Sequence, residues 1–201
     1  MAIKAHYEAD LTVPATEVPN GYRFSPRRLN IVWGKDSRYW HIPKSKISSA
    51  FQEASNVVLH ALTKVMKVAL YEQNEKPSSA LEEDLAELIQ VSWLEITGSY
   101  ELELKKTYEV GFKVSYTPEA FGWNGCPVYV MAKFGKKGKY IWKRAKLTDK
   151  AEKMPFEISE QALRITSDTE NTLYFGLYEV WSGKWKGGLK IHEAFIKKVD
   201  T

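Results

Sequence analysis

The sequence predicts an all-β protein, an antiparallel sandwich or barrel, with one long α-helix set into it. Three observations carry this. Residues Thr107 to Tyr116 alternate with period two, Tyr108, Val110, Phe112, Val114 and Tyr116 against Thr107, Glu109, Lys113 and Ser115. Short strand-like runs recur between Gly-rich turns with no βαβ alternation. Residues 45–73 alone break that pattern, with apolar side chains at helical spacing.

Taken in order, residues 1–28 hold Pro14, Pro19, Gly21 and Pro26 with little periodicity and read as a loose lead-in ending at Arg27 and Arg28. Leu29, Ile31 and Trp33 share one parity of a short strand. Gly34 to Ser37 is turn chemistry, and Tyr39 to Ile42 resumes an extended run up to Pro43. From Ser45 to Gln73, Ile47, Phe51, Ala54, Val58, Ala61, Leu62, Val65 and Val68 recur at helical spacing without an internal Gly or Pro, which predicts the helix. Residues 75–79 read as a linker, and 81–86 as a single helical turn. The remainder is strand-like: Val91 to Thr97, Thr107 to Tyr116, Val128 to Phe134, Lys139 to Trp142, Leu173 to Leu177 and Gly187 to Lys198. Gly135 to Gly138 predicts a hairpin between two of these.

The chain has 201 residues, 44% hydrophobic and 27% charged, with a formal net charge of +4, the composition of a single globular domain. No apolar run approaches the roughly 18 residues of a membrane-spanning helix. The first ten residues lack an apolar stretch before a cleavage site, so no signal peptide is expected. Cys126 is the only cysteine, which excludes an internal disulfide framework and fits a reducing compartment.

Enzyme templates fit badly. No GxGxxG, Walker A, HExxH or G-x-S-x-G pattern occurs, and four scattered His give no metal-ligand spacing, so neither a cofactor nor a metal is expected. Cys126 reads as a buried inert thiol before it reads as a nucleophile, and His192 as a satisfied sheet histidine before a base. The aromatic residues are more informative: seven Trp and eleven Tyr exceed what a core of this size needs. Trp33 and Trp40 close one turn, with Lys35, Asp36 and Arg38 between them, and Trp181 and Trp185 bracket a second. Glu179 continues the parity of Leu173, Phe175 and Leu177, which aims a carboxylate inward. An unpaired buried charge is costly, so either the strand bulges there or the residue sits at an open end. Aromatic rings beside a carboxylate suit a sugar: the C–H face of a pyranose stacks on indole, and its hydroxyl and acetamide groups donate to the carboxylate. Each Trp is equally readable as core. A second reading rests on Lys133 to Lys146, where seven cations and no acid interleave with Phe134, Tyr140 and Trp142, the pattern of a hairpin that tracks RNA or merely of a solvated tip.

Four ordered blocks, LNIVWGKDSRYW from Leu29, AELIQVSWLEITG from Ala86, KTYEVGF from Lys106 and LYEVWSGKWKGG from Leu177, resemble the plant phloem protein 2 family, which includes Nictaba-type lectins. The resemblance covers about residues 27–199, a lectin domain of 29–199 after the lead-in. It implies a β-sandwich of jelly-roll type, into which 45–73 is inserted as a helix. It also implies binding of N-acetylglucosamine oligomers or N-glycan cores without catalysis, in the phloem cytoplasm or nucleus. The family's binding residues fall on Trp33 and Trp40 as stacking platforms and Glu179 as acceptor. The family's second glutamate falls near Thr172 and is replaced. Trp185 is expected to form a second wall of the site or to support its turn. The lead-in is too short for the F-box that some members carry. Alternatives are an RNA or ribonucleoprotein partner and a structural role through Cys126 crosslinks. A homodimer is expected, since one shallow sugar site binds weakly unless linked to another, with the helix as candidate contact.

Overall fold

A computed structural model describes residues 5–42, 85–147, 155–158 and 163–199. The chain divides into two compact units, residues 1–42 with 85–201, and 43–84; the latter lies outside the described residues, and the fold below is that of the first.

Among the described residues thirteen strands, numbered in chain order, run β1 (Thr16–Val18), β2 (Gly21–Phe24), β3 (Asn30–Ile31), β4 (Trp40–His41), β5 (Ala86–Leu88) and β6 (Leu94–Glu101). They continue with β7 (Thr107–Phe121), β8 (Pro127–Phe134), β9 (Ile141–Lys146), β10 (Phe156–Glu157), β11 (Leu163–Thr166), β12 (Thr172–Glu179) and β13 (Gly187–Val199). They form two sheets, and every pairing is antiparallel. One sheet has five strands in the order β3-β6-β12-β8-β9. The other has eight: β1-β2-β13-β5-β4 along one path, with β7 pairing β13, β10 and β11. β13 is long enough to carry both β2 and β5 on one edge and β7 on the other.

The core lies between the sheets because alternation aims one parity of each strand inward. Val110, Phe112 and Val114 of β7 and Leu189, Ile191 and Ile196 of β13 are buried from one side. Ile96 of β6, Val128 and Val130 of β8, and Leu173, Phe175 and Leu177 of β12 are buried from the other. Each such side chain contributes roughly 1.5–3 kcal/mol on burial. Phe175 joins the layers, its ring 6.3 Å from that of Phe112 and 5.4 Å from that of Phe24. Its cross-strand neighbour must be Gly98, since a Cβ there would come within 2.6 Å of the Phe175 ring.

The all-β, antiparallel, two-sheet part of the expectation agrees with this fold, but the inserted long helix is corrected. Among the described residues the only helical segment is a 3-10 turn, Pro26–Arg28, and residues 45–73, to which apolar spacing assigns the helix, lie outside them. Helical spacing is a local signal, and helical stability comes mostly from burying the apolar stripe in tertiary packing. Among the described residues the interior is filled from strands and loops alone. The helical turn expected over 81–86 is likewise corrected at its described end, since Ala86 begins β5 and pairs with Ile191. The lead-in is also less loose than its composition suggests. It supplies β1 and β2, and Phe24 is buried in the core.

Candidate functional site

The first motif block folds as a chain of turns, residues 32–39, between β3 and β4. Trp33 adopts a left-handed backbone, φ 63°, unusual for a bulky residue and a strain of order 1–3 kcal/mol. His6 fixes it there: its Nδ1 accepts the Trp33 N–H at 3.1 Å, and its ring meets the indole edge-on at 5.5 Å. The Asp36 carbonyl then accepts the N–H groups of both Tyr39 and Trp40 at 2.9 and 3.0 Å. The Asp36 carboxylate takes the Arg38 backbone N–H at 3.0 Å and the Arg38 Nη2 at 2.7 Å. The Arg38 side-chain hydrogen bonds, followed by its backbone N–H, hold the Asp36 carboxyl below the usual carboxylate range. The guanidinium in turn lies 5.3 Å from the centre of the Tyr39 ring.

These turns separate the two tryptophans expected to act together. Trp33 is 40% exposed, whereas Trp40 is 2% exposed and packs in the core with its Nε1 donating to the Val32 carbonyl at 3.1 Å. Trp40 therefore presents no ring face to a ligand, and its expected role as a stacking platform is corrected to one in the core. Beside Trp33 lies Tyr39 instead. Its ring lies 5.7 Å from that of Trp33 and stacks on that of Trp185 at 6.5 Å and 24°. Trp185 is 53% exposed. Trp33, Tyr39 and Trp185 thus form one continuous aromatic surface.

Glu179 ends β12 facing inward, as its parity requires, and is buried without a bulge in that strand. Its charge is neutralised by Lys186, fully buried and ion-paired with Oε2. Oε1 accepts the Ser182 N–H at 3.0 Å, and the Lys186 ammonium also donates to the Ser92 carbonyl at 3.3 Å. Lys186 exchanges backbone hydrogen bonds with Val91, both 2.9 Å. The carboxylate and its lysine therefore fasten both ends of the 180–186 turn that displays Trp185. Trp181, expected to pair with Trp185, instead packs edge-on against Tyr129 at 4.8 Å.

Sequence reasoning missed Lys186, Tyr39 and His6. The first had a signal: an inward-facing glutamate requires a cation, and Lys186 follows Trp185 within the same motif. Tyr39 lay between named residues, beyond turns across which strand parity does not carry, and His6 is 27 residues distant from Trp33.

The remaining chemistry-bearing residues are occupied elsewhere. Cys126 is buried, its Sγ 3.6 Å from the Ser182 Oγ, which corrects its candidacy for crosslinks, because a buried thiol offers no surface to a second chain. His192 sits at a register shift of β13 and shares a 2.7 Å hydrogen bond with Ser115. Burial first, then Lys113 and Lys190, hold its imidazole below the usual histidine range. Among the described residues no group of three or more His, Cys, Asp or Glu is placed to hold a metal ion, and no helix is long and apolar enough to cross a membrane.

Comparison with known proteins gives a match to the family model Phloem protein 2 over residues 60–198. "Protein PHLOEM PROTEIN 2-LIKE A9" of Arabidopsis thaliana is 37% identical over 213 residues, spanning 97% of this chain and 97% of that protein. Among solved structures, TmCBM61 in complex with beta-1,4-galactotriose is similar at a TM-score of 0.39 and 11% identity, over 86% of this chain and 88% of that one. The CBM22-1 xylan-binding domain of Paenibacillus barcinonensis Xyn10C has a TM-score of 0.37 and 10% identity, over 65% and 78% of the two chains.

Proposed function

The chain belongs to the phloem protein 2 family, and on that premise we propose that it is a carbohydrate-binding lectin for N-acetylglucosamine oligomers, acting without catalysis in the cytoplasm or nucleus. The observation that carries the reading is the aromatic surface of Trp33, Tyr39 and Trp185, assembled from two of the four motif blocks, with Trp33 and Trp185 exposed and Tyr39 half-buried between them. Exposed rings of this size are costly to leave in water, and the apolar face of a pyranose covers them well. Arg38 and Asp36 lie beside the rings and offer a donor and an acceptor to hydroxyl or acetamide groups. Glu179 acts as a positioning residue for Trp185, since both its oxygens are already engaged.

Calorimetric titration with chitotriose tests this. Trp185→Ala and Trp33→Ala should each weaken binding by about 1–3 kcal/mol, as the loss of an aromatic anchor does, with unchanged circular dichroism. Binding equal to wild type in both variants would refute the site. A homodimer belongs to the same reading, because linking two shallow sites raises effective concentration. Sedimentation equilibrium at micromolar concentration should give a mass near twice 23.1 kDa, and the monomer mass throughout would refute it.

A further inference from the structure

The outer face of the five-stranded sheet carries aromatic and cationic side chains that the loop platform does not use. Val128, Val130 and Ala132 of β8 point into the core, so Tyr129, Met131 and Lys133 point out. Register then lays out rows across the sheet: Glu95, Tyr178, Tyr129 and Arg144 in one, Thr97, Gly176, Met131 and Trp142 in the next, and Ser99, Tyr174 and Lys133 in a third. The Tyr178 ring lies over Gly176, where a Cβ would come within 2.7 Å of it, and Tyr178 shares a hydrogen bond with Tyr140. On the ring of Tyr129 stand two indoles, Trp142 at 5.6 Å and 70° and Trp181 at 4.8 Å and 73°, which are 57% and 60% exposed.

The charges on this face are unequal in their commitments. Lys133 donates to the Lys136 carbonyl at 2.6 Å and lies over the rings of Tyr140 and Tyr174, so its ammonium is occupied. Glu95 accepts the Trp93 Nε1 at 3.1 Å. Arg144 stands beside Tyr129, with Lys146 two residues along the same exposed strand, and neither pairs with a carboxylate among the described residues. Two upright indoles, the hydroxyls of Tyr178, Tyr140, Thr97 and Ser99, and two uncommitted cations therefore share one face. Rings and hydroxyls suit sugar rings, and a guanidinium binds a carboxylate through paired hydrogen bonds. A neutral glycan would leave the cations unused, and a nucleic acid, with a phosphate at every nucleotide, draws on more free cations than these two and has little use for the hydroxyls.

We propose that this face is a second carbohydrate site, separate from the loop platform, that takes a linear acidic polysaccharide built of uronate units, its rings stacking on Trp142 and Trp181 and its carboxylates pairing with Arg144 and Lys146.

The test is affinity electrophoresis of the full chain through polygalacturonate, with polyuridylate and chitotriose binding measured alongside. The wild type should bind polygalacturonate, more weakly at high salt. Trp142→Ala and Trp181→Ala should each lose about tenfold, as should Arg144→Gln combined with Lys146→Gln, while all of these keep chitotriose binding. Trp33→Ala should keep polygalacturonate binding whatever it does to chitotriose, so this site and the loop platform fail independently. The proposal is overturned if the wild type does not bind polygalacturonate, or if the two Trp variants bind it unchanged. Tighter binding of polyuridylate through the same residues would also overturn it and make the face a nucleic-acid surface.

Discussion

Replacing Lys186 by Met tests whether Glu179 is a structural anchor or a ligand acceptor. The Lys186 side chain is fully buried and that of Glu179 is 2% exposed, so the pair is closed off from water. Removing the ammonium leaves the carboxylate buried with only the Ser182 N–H as a partner. Breaking a buried ion pair from one side costs about 3–5 kcal/mol. For a chain of this length each kcal/mol lowers Tm by about 2–4 °C, so Lys186→Met should melt about 6–20 °C early. Removing both charges as Glu179→Leu with Lys186→Met leaves no orphan and should recover most of that loss, because apolar replacements of buried pairs are often neutral or stabilising. Urea denaturation of wild type, both single variants and the double variant measures the coupling. If Lys186→Met costs less than about 1 kcal/mol, or if the two single losses simply add, the reasoning fails. A variant of normal stability that had lost only sugar binding would instead make Glu179 an acceptor.

Further expectations follow from burial and titration. Trp40→Ala should destabilise the fold by about 3–5 kcal/mol in urea melts, a core truncation rather than the loss of a stacking ring from an intact protein. The Asp36 carboxyl lies below its ordinary value, so what its bonds to Arg38 contribute is complete above pH about 4 and is lost as pH falls through the lower folded value. Chitotriose affinity should therefore be flat from pH 5 to 8 and fall only below about 4, and Arg38→Ala should raise the pH at which it falls. The His192 imidazole is likewise lowered, so its contribution is complete above pH about 6.5 and is lost as pH falls through the folded value; His192→Gln should flatten stability between pH 7 and 5 in denaturant titrations.

The sheets were legible because their signal is local. The large buried apolar side chains of β7, Tyr108 to Tyr116, and of β12, Leu173, Phe175 and Leu177, sit on the parity that alternation assigns them, and the Gly135–Gly138 turn joins β8 and β9. β1 and β2 were not legible, since strands of three and four residues are too short to show a period; β2 is held by the long edge of β13, and β1 by β2. At the site, the motif blocks located the right turns but not their orientations. Trp33 points outward because a left-handed backbone takes it out of strand parity, so alternation could not separate it from Trp40. The inward carboxylate of Glu179 was foreseen, along with the cost of burying it. Its neutralisation by a lysine seven residues later depends on the closure of the 180–186 turn, which no periodicity encodes.

The indole N–H signals of the seven tryptophans give the most direct test of the aromatic platform, since each reports its own surroundings in a proton–nitrogen correlation spectrum. On titration with chitotriose the signals of Trp33 and Trp185 should move together and saturate at one affinity. Those of Trp40 and Trp123, whose Nε1 groups are already donated to the Val32 and Gly187 carbonyls, should stay in place. Movement of Trp142 and Trp181 with Trp33 and Trp185 unmoved, or no movement in any of them, would contradict the account.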